Sequence, residues 1–182
     1  MLNESFYGHF ISSGFEWILL AQSDAFVIRD ITPLTSLGIH NIGASWDPPF
    51  LVYDAHFRYF INRNKVLGIL PRIMLTAGNG GLSLRHLGSH IKICQWFAQR
   101  RIQRRFRQGN LLIMNEDLII ALACKVLGIP IADAETADSI FIERKPIHQV
   151  SLEKIFGFHA LNKYQATSEI SLLEYAERLN YD

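Results

Sequence analysis

The sequence predicts an α/β fold in one domain, on three observations. Trp17-Ile18-Leu19-Leu20-Ala21 is a short, continuously apolar run closed by Gln22-Ser23-Asp24, the pattern of a central strand covered on both faces. Between His86 and Arg107 the residues Leu87, Ile91, Ile93, Cys94, Phe97, Ile102 and Phe106 recur at mostly helical spacing, which predicts one amphipathic helix. Strand-like and helix-like segments alternate over residues 1–182 with no repeat and no linker between them.

Taken in order, a second apolar patch at Ala25 to Ile28 follows the first strand. Thr32-Pro33 and then Leu34 to Gly38 read as a short capped helix with Pro in its first turn and a Gly stop. His40 to Ala44 is the next strand, and Trp46-Asp47-Pro48-Pro49 is read as loop. Gly78 to Gly81 form a glycine-rich turn before a short strand at Leu82-Ser83-Leu84. The helix over 86–107 stops at Gly109, and a second helix is capped by Asn115, holds Glu116 and Asp117 in its first turn and ends at Gly128-Ile129-Pro130. Ile131-Ala132 and Ser139 to Ile142 are strand candidates, and Ser171-Leu172-Leu173-Glu174 is a capping box for a last helix to about Leu179.

Composition narrows the class. A chain of 182 residues with 49% apolar and 12% aromatic residues can remove roughly 70% of its unfolded surface from water and is not a disordered type. A formal charge of +1 gives no general attraction to a polyanion, so nucleic acid is not an expected partner. Cys94 and Cys124 lie in apolar stretches without CxxC spacing, and with no basic, apolar leader at Met1 to Ser5 they favour a reduced, cytoplasmic setting. No apolar stretch reaches the roughly 18 residues of a membrane span.

Four motifs carry chemistry, and each has a plainer alternative. Asp24 stands just past a strand end, where a carboxylate suits a hard divalent cation and a diphosphate, or merely opens a turn. In Gly78-Asn79-Gly80-Gly81 the glycines allow close approach to a ligand and Asn79 offers a donor and an acceptor, or the segment is simply a turn. Glu116 and Asp117 supply a carboxylate able to act as a general base, or favour a helix start by charge. His159, in Phe156-Gly157-Phe158-His159, is a packed histidine or the imidazole that completes an Mn²⁺ site. The arginines 100, 101, 104, 105 and 107 fall within eight positions; they form a solvated helix face or one that meets anionic headgroups.

The four motifs in this order resemble an uncharacterised family of GT-A type glycosyltransferase-like proteins found in polysaccharide gene neighbourhoods. The stretches that carry the resemblance are Phe15 to Ile28, Asn41-Ile42-Gly43-Ala44-Ser45-Trp46, Gly78 to Arg85, Asn115-Glu116-Asp117 and Phe156 to His159, and the match runs from about Phe6 to His159. The resemblance implies a GT-A-like mixed sheet flanked by helices, lacking the N-terminal nucleotide-binding strands. It also implies transfer of a sugar from a nucleotide-diphosphate sugar to a hydroxyl of a glycan or lipid-linked acceptor in surface polysaccharide synthesis.

Within that resemblance, Asp24 and His159 are the Mn²⁺ or Mg²⁺ ligands, with Gln22 where a first acid often stands. Gln22, Trp46, Asn79, Gly80, Gly81 and Arg85 are substrate-binding, and Asp117, ahead of Glu116, is the base. The protein is then placed in the cytoplasm at the inner face of the membrane, touching it through Arg100 to Arg107. The alternative is a non-catalytic, truncated sugar- or nucleotide-binding remnant of such an enzyme.

Overall fold

The computed structural model describes residues 3–55, 58–61, 72–108, 116–143 and 154–160. Helix α1 (Glu4–Ser12) is capped by Asn3, whose side chain accepts the Ser5 N–H at 3.0 Å. Strands β1 (Trp17–Ala21) and β2 (Ala25–Val27) follow, then a 3₁₀ turn over Thr32–Leu37 with Pro33 in its first turn and Gly38 left-handed at φ 69. After β3 (Asn41–Gly43) come β4 (Ser45–Ala55), β5 (Arg58–Ile61), β6 (Arg72–Ala77) and β7 (Leu82–His86). Helices α2 (Leu87–Ala98), α3 (Arg100–Gln108), α4 (Glu116–Leu127) and α5 (Ala134–Ile140) precede the short strands β8 (Phe141–Ile142) and β9 (Gly157–His159).

The class is mixed α/β. The strands form three small sheets ordered β1-β7-β3, β2-β9-β8 and β5-β4-β6, and among named strands only β8 with β9 is parallel. One apolar cluster gathers Trp46, Val52, Tyr59, Trp96, Phe106 and most of α4. A second holds Ile42, Leu82, Leu84, Ala137 and Phe141 beside the first sheet, and a third seats Tyr7 of α1 on Leu87 and Cys94 of α2.

Four expectations are corrected. The apolar run of β1 does meet packing on both faces, Ile18 toward Tyr7 and Trp17 with Leu19 toward the Leu82–Leu84 cluster. It nevertheless lies at the edge of its sheet, and the central, buried strand is β7. Trp46 to Pro49 belong to β4: its pairing with β6 slips between Ser45 and Phe50, so both prolines fall where the ladder needs no N–H.

The helix expected over 86–107 is two helices broken at Gln99, which is extended at ψ 126. Phe97 and Ile102 are five residues apart, about 140° around a straight helix. The break lets Ile102 and Phe106 enter the same core as Ile93 and Trp96. Lastly, Ser139 and Ile140 are helical because Asp133 caps α5 by accepting the Thr136 N–H at 2.8 Å.

Strand β3, the 3₁₀ turn, β7 and the stop of α4 at Gly128 (φ 65) agree with the sequence. Asn115, Gly109 and the helix expected from Ser171 lie outside the described residues. Cys94 and Cys124 are free and buried, and burial pushes their thiols up to about 11 and about 12. No helix among the described residues is long and apolar enough to cross a membrane.

Candidate functional site

The start of β7 is where the sequence motifs meet. Gly78 turns the chain at φ 125, and its N–H and that of Asn79 both donate to Ala44 O at 3.1 Å. The turn thus lies against the end of β3. Asn79 then braces it, its Oδ1 accepting the Gly81 N–H at 3.1 Å and its amide nitrogen donating to Glu143.

The glycines serve internal packing. A Cβ on Gly80 would collide with the Asp117 carboxylate, and one on Gly81 with the His159 ring. The surface expected to lie along a donor sugar is therefore covered by two other candidate residues. Asp117 and His159 stand over consecutive Cα atoms, about 3.8 Å apart.

Four strand or helix ends supply the side chains. Asp24 precedes β2, whose antiparallel pairing sets Ala25 opposite His159. His159 Nε2 lies 3.0 Å from Gln22 Oε1 and 3.2 Å from Asp24 Oδ1, two acceptors that place a proton on that nitrogen. Gln22 is held by its own N–H, which donates to Gly81 O at 2.8 Å.

His159 Nδ1 is buried without a hydrogen bond among the described residues, and Glu143 Oε1 is 3.7 Å away.

Beneath this layer lies Arg85, 1% exposed. Its Nε donates to Ser83 Oγ at 3.0 Å, and Nη1 donates to Tyr7 Oη at 2.9 Å and to Glu116 Oε1 at 3.3 Å. Nη2 stands 3.8 Å from Asp117 Oδ1. The guanidinium is thus enclosed, and the expectation that Arg85 touches substrate is corrected: it positions the two acids.

Glu116 leans on Arg85, while Asp117 covers Gly80 and receives its N–H. Burial raises the Asp117 carboxyl above its ordinary range, against the opposing pull of the Gly80 N–H and Arg85. Trp46 is also corrected. It is 8% exposed, set edge-on to Phe50 within the apolar core, and is not among the side chains that meet here.

Sequence reasoning missed two members of the cluster. Glu143 follows Phe141-Ile142 as Asp24 follows an apolar strand, so the same strand-end signal was present. Tyr7 gave none, because its role comes only from α1 packing over β7. In all, four carboxylates (Asp24, Glu116, Asp117 and Glu143) surround one guanidinium and one imidazole. Among the described residues no three His, Cys, Asp or Glu side chains are set to hold a metal ion.

The set does fit a cation shared with a ligand. Mg²⁺ and Mn²⁺ are often held by one or two carboxylates plus substrate phosphates. His159 Nδ1 is a buried nitrogen without a hydrogen bond among the described residues, 3.7 Å from Glu143 Oε1.

Comparison with known proteins gives a family and nothing narrower. Residues 1–159 match the family described as "Protein of unknown function (DUF5672)", to which the chain belongs. No curated protein and no solved structure matches it.

Proposed function

We propose that this member of the DUF5672 family is a GT-A-like glycosyltransferase. In this reading it moves a sugar from a nucleotide-diphosphate sugar to a hydroxyl of a glycan or lipid-linked acceptor in surface polysaccharide synthesis, at the cytoplasmic face of a membrane. One observation carries the reading: Asp24 and His159, 135 positions apart in sequence, meet at 3.2 Å over Gly81, beside a half-buried Asp117 resting on Gly80.

Asp117 accepts the proton of the acceptor hydroxyl. Its burial raises its basicity, while Arg85 and the Gly80 N–H hold it in place. The acceptor oxygen bonds to the anomeric carbon as the bond from that carbon to the diphosphate oxygen breaks. Asp24 and His159 would hold Mn²⁺ or Mg²⁺ on the diphosphate side, together with oxygens of the diphosphate itself. When bound, the cation neutralises charge on the departing group. Gln22 and the remaining amide N–H of Asn79 supply hydrogen bonds to donor hydroxyls.

The test is release of nucleoside diphosphate from uridine, guanosine and thymidine diphosphate sugars. Asp117→Asn should lower turnover by about 10²- to 10⁴-fold with donor binding kept. Glu116→Gln should act mainly on stability, through Arg85. Loss of turnover confined to Glu116→Gln would reverse the assignment.

A second reading, a non-catalytic sugar- or nucleotide-binding module, is favoured by Asp117 and His159 covering Gly80 and Gly81, the stretch expected to lie along a donor sugar. Donor binding without turnover in any condition supports that module instead.

A further inference from the structure

A second cluster of charge lies at the other end of α4. A cavity of about 570 Å³ is lined by Tyr59 of β5, Trp96 of α2 and Arg101, Ile102, Arg104 and Arg105 of α3, with Val126 of α4 at its side. That volume is in the range of small-molecule sites. Val126 and Asp117 are nine residues apart on α4, about 13 Å along its axis, so the cavity is distinct from the acid cluster.

The guanidiniums are only partly satisfied. Arg105 pairs with Asp54 and lies 4.0 Å over the Tyr59 ring, yet its buried Nε makes no hydrogen bond among the described residues. Arg101 donates from Nε to Gln99 at 3.0 Å. The Arg104 side chain makes no hydrogen bond or ion pair among the described residues. Among the described residues, three guanidiniums less the Asp54 carboxylate leave a charge of +2 at the cavity.

Helix α3 also carries a cost that an anion would relieve. Its sequence RRIQRRFRQ has no acid, and Arg100 with Arg104 and Arg101 with Arg105 are like charges at the i, i+4 spacing that repel. Two arginines also occupy its first turn, where the helix dipole favours negative charge. The walls between the charges are apolar: Trp96 and Ile102 are 7% and 5% exposed.

We propose that this cavity binds a phosphate group that carries an apolar body, the phosphate on Arg101, Arg104 and Arg105 and the body against Trp96, Ile102 and Val126. A forked guanidinium matches phosphate oxygens in pairs. The same chemistry is offered by a phospholipid headgroup region and by a soluble phosphate ester, and the site does not depend on the transferase reading.

The test is calorimetric titration of the full chain with dihexanoyl phosphatidic acid below its micelle concentration, with dihexanoyl phosphatidylcholine and pyrophosphate as comparisons. Flotation with vesicles of phosphatidylcholine with and without phosphatidic acid completes it. Saturable binding of the phosphatidic acid is expected. It should be weaker by about tenfold or more in Arg101→Gln/Arg104→Gln and also in Val126→Trp, which fills the cavity without changing charge.

Arg101 and Arg104 are exposed and Val126 is 42% exposed, so both variants should keep the wild-type melting temperature. Soluble binding that both variants lose supports the site with a soluble ester as its source. Binding confined to acidic vesicles and lost in both variants supports it with a membrane surface. Absence of binding, equal binding of the phosphatidylcholine or of pyrophosphate, or binding unchanged in the variants would overturn it.

Discussion

Gly43, Gly80 and Gly81 separate two ways in which a missing side chain matters. A Cβ on Gly43 would collide with the backbone of Asn79 and Gly78, whereas on Gly81 the nearest atoms it would meet are those of the His159 ring. Backbone cannot swing aside, so Gly43→Ala should cost about 3 kcal/mol. Gly81→Ala should cost about 1 kcal/mol while displacing His159 from Asp24 and weakening the response to donor. Chemical denaturation of both variants checks the order, and a larger loss for Gly81→Ala would contradict it.

At this scale the sequence singled out Asp24, Gln22, Asn79, Asp117 and His159 by local motif chemistry, and the fold brings their side chains together. It misjudged Arg85, whose burial depends on Tyr7 arriving from α1, and Trp46, whose indole is taken up by Phe50 and the core.

Helices α1 and α2 meet around His90, which is fully buried against the Tyr7 ring at 5.2 Å and donates from Nδ1 to His86 O at 3.1 Å. Burial, with Arg85 and the neighbouring His86 and His40 adding repulsion, pushes His90 down to about 3 from its ordinary 6.5. The unfolded chain therefore binds a proton that the folded chain refuses between those values. Stability from this group is complete above about pH 6.5 and is lost as pH falls toward 3; lowered His40 acts in the same direction.

The melting temperature should fall across that window, and His90→Gln should flatten the fall. An unchanged slope in the variant would contradict this account. Element starts and stops were legible where caps or glycines mark them, as at Gly38 and Gly128. The break at Gln99 was written only as a five-residue gap between Phe97 and Ile102, which a spacing read as mostly helical passes over.

For the molecule as a whole, the alternation of elements gave the α/β class but not three small, largely antiparallel sheets. Strand pairing is long-range, and Trp17 to Ala21 looks the same at an edge as at a centre when both faces are covered. What organises the site is β7, which carries Arg85 inside and opens on the glycine turn, so that residues from before β2, from α4, after β8 and in β9 converge there.

The central claim is that this convergence receives a diphosphate and a divalent cation together. Its most direct measurement is the melting temperature of the protein with nucleotide-diphosphate sugars, with Mn²⁺, and with both. A ligand that binds the native state stabilises by mass action, so the pair should raise the melting temperature more than the two separate shifts combined, and Asp24→Asn should abolish that excess. No shift with any uridine, guanosine or thymidine diphosphate sugar, or an excess that survives in Asp24→Asn, would contradict the claim.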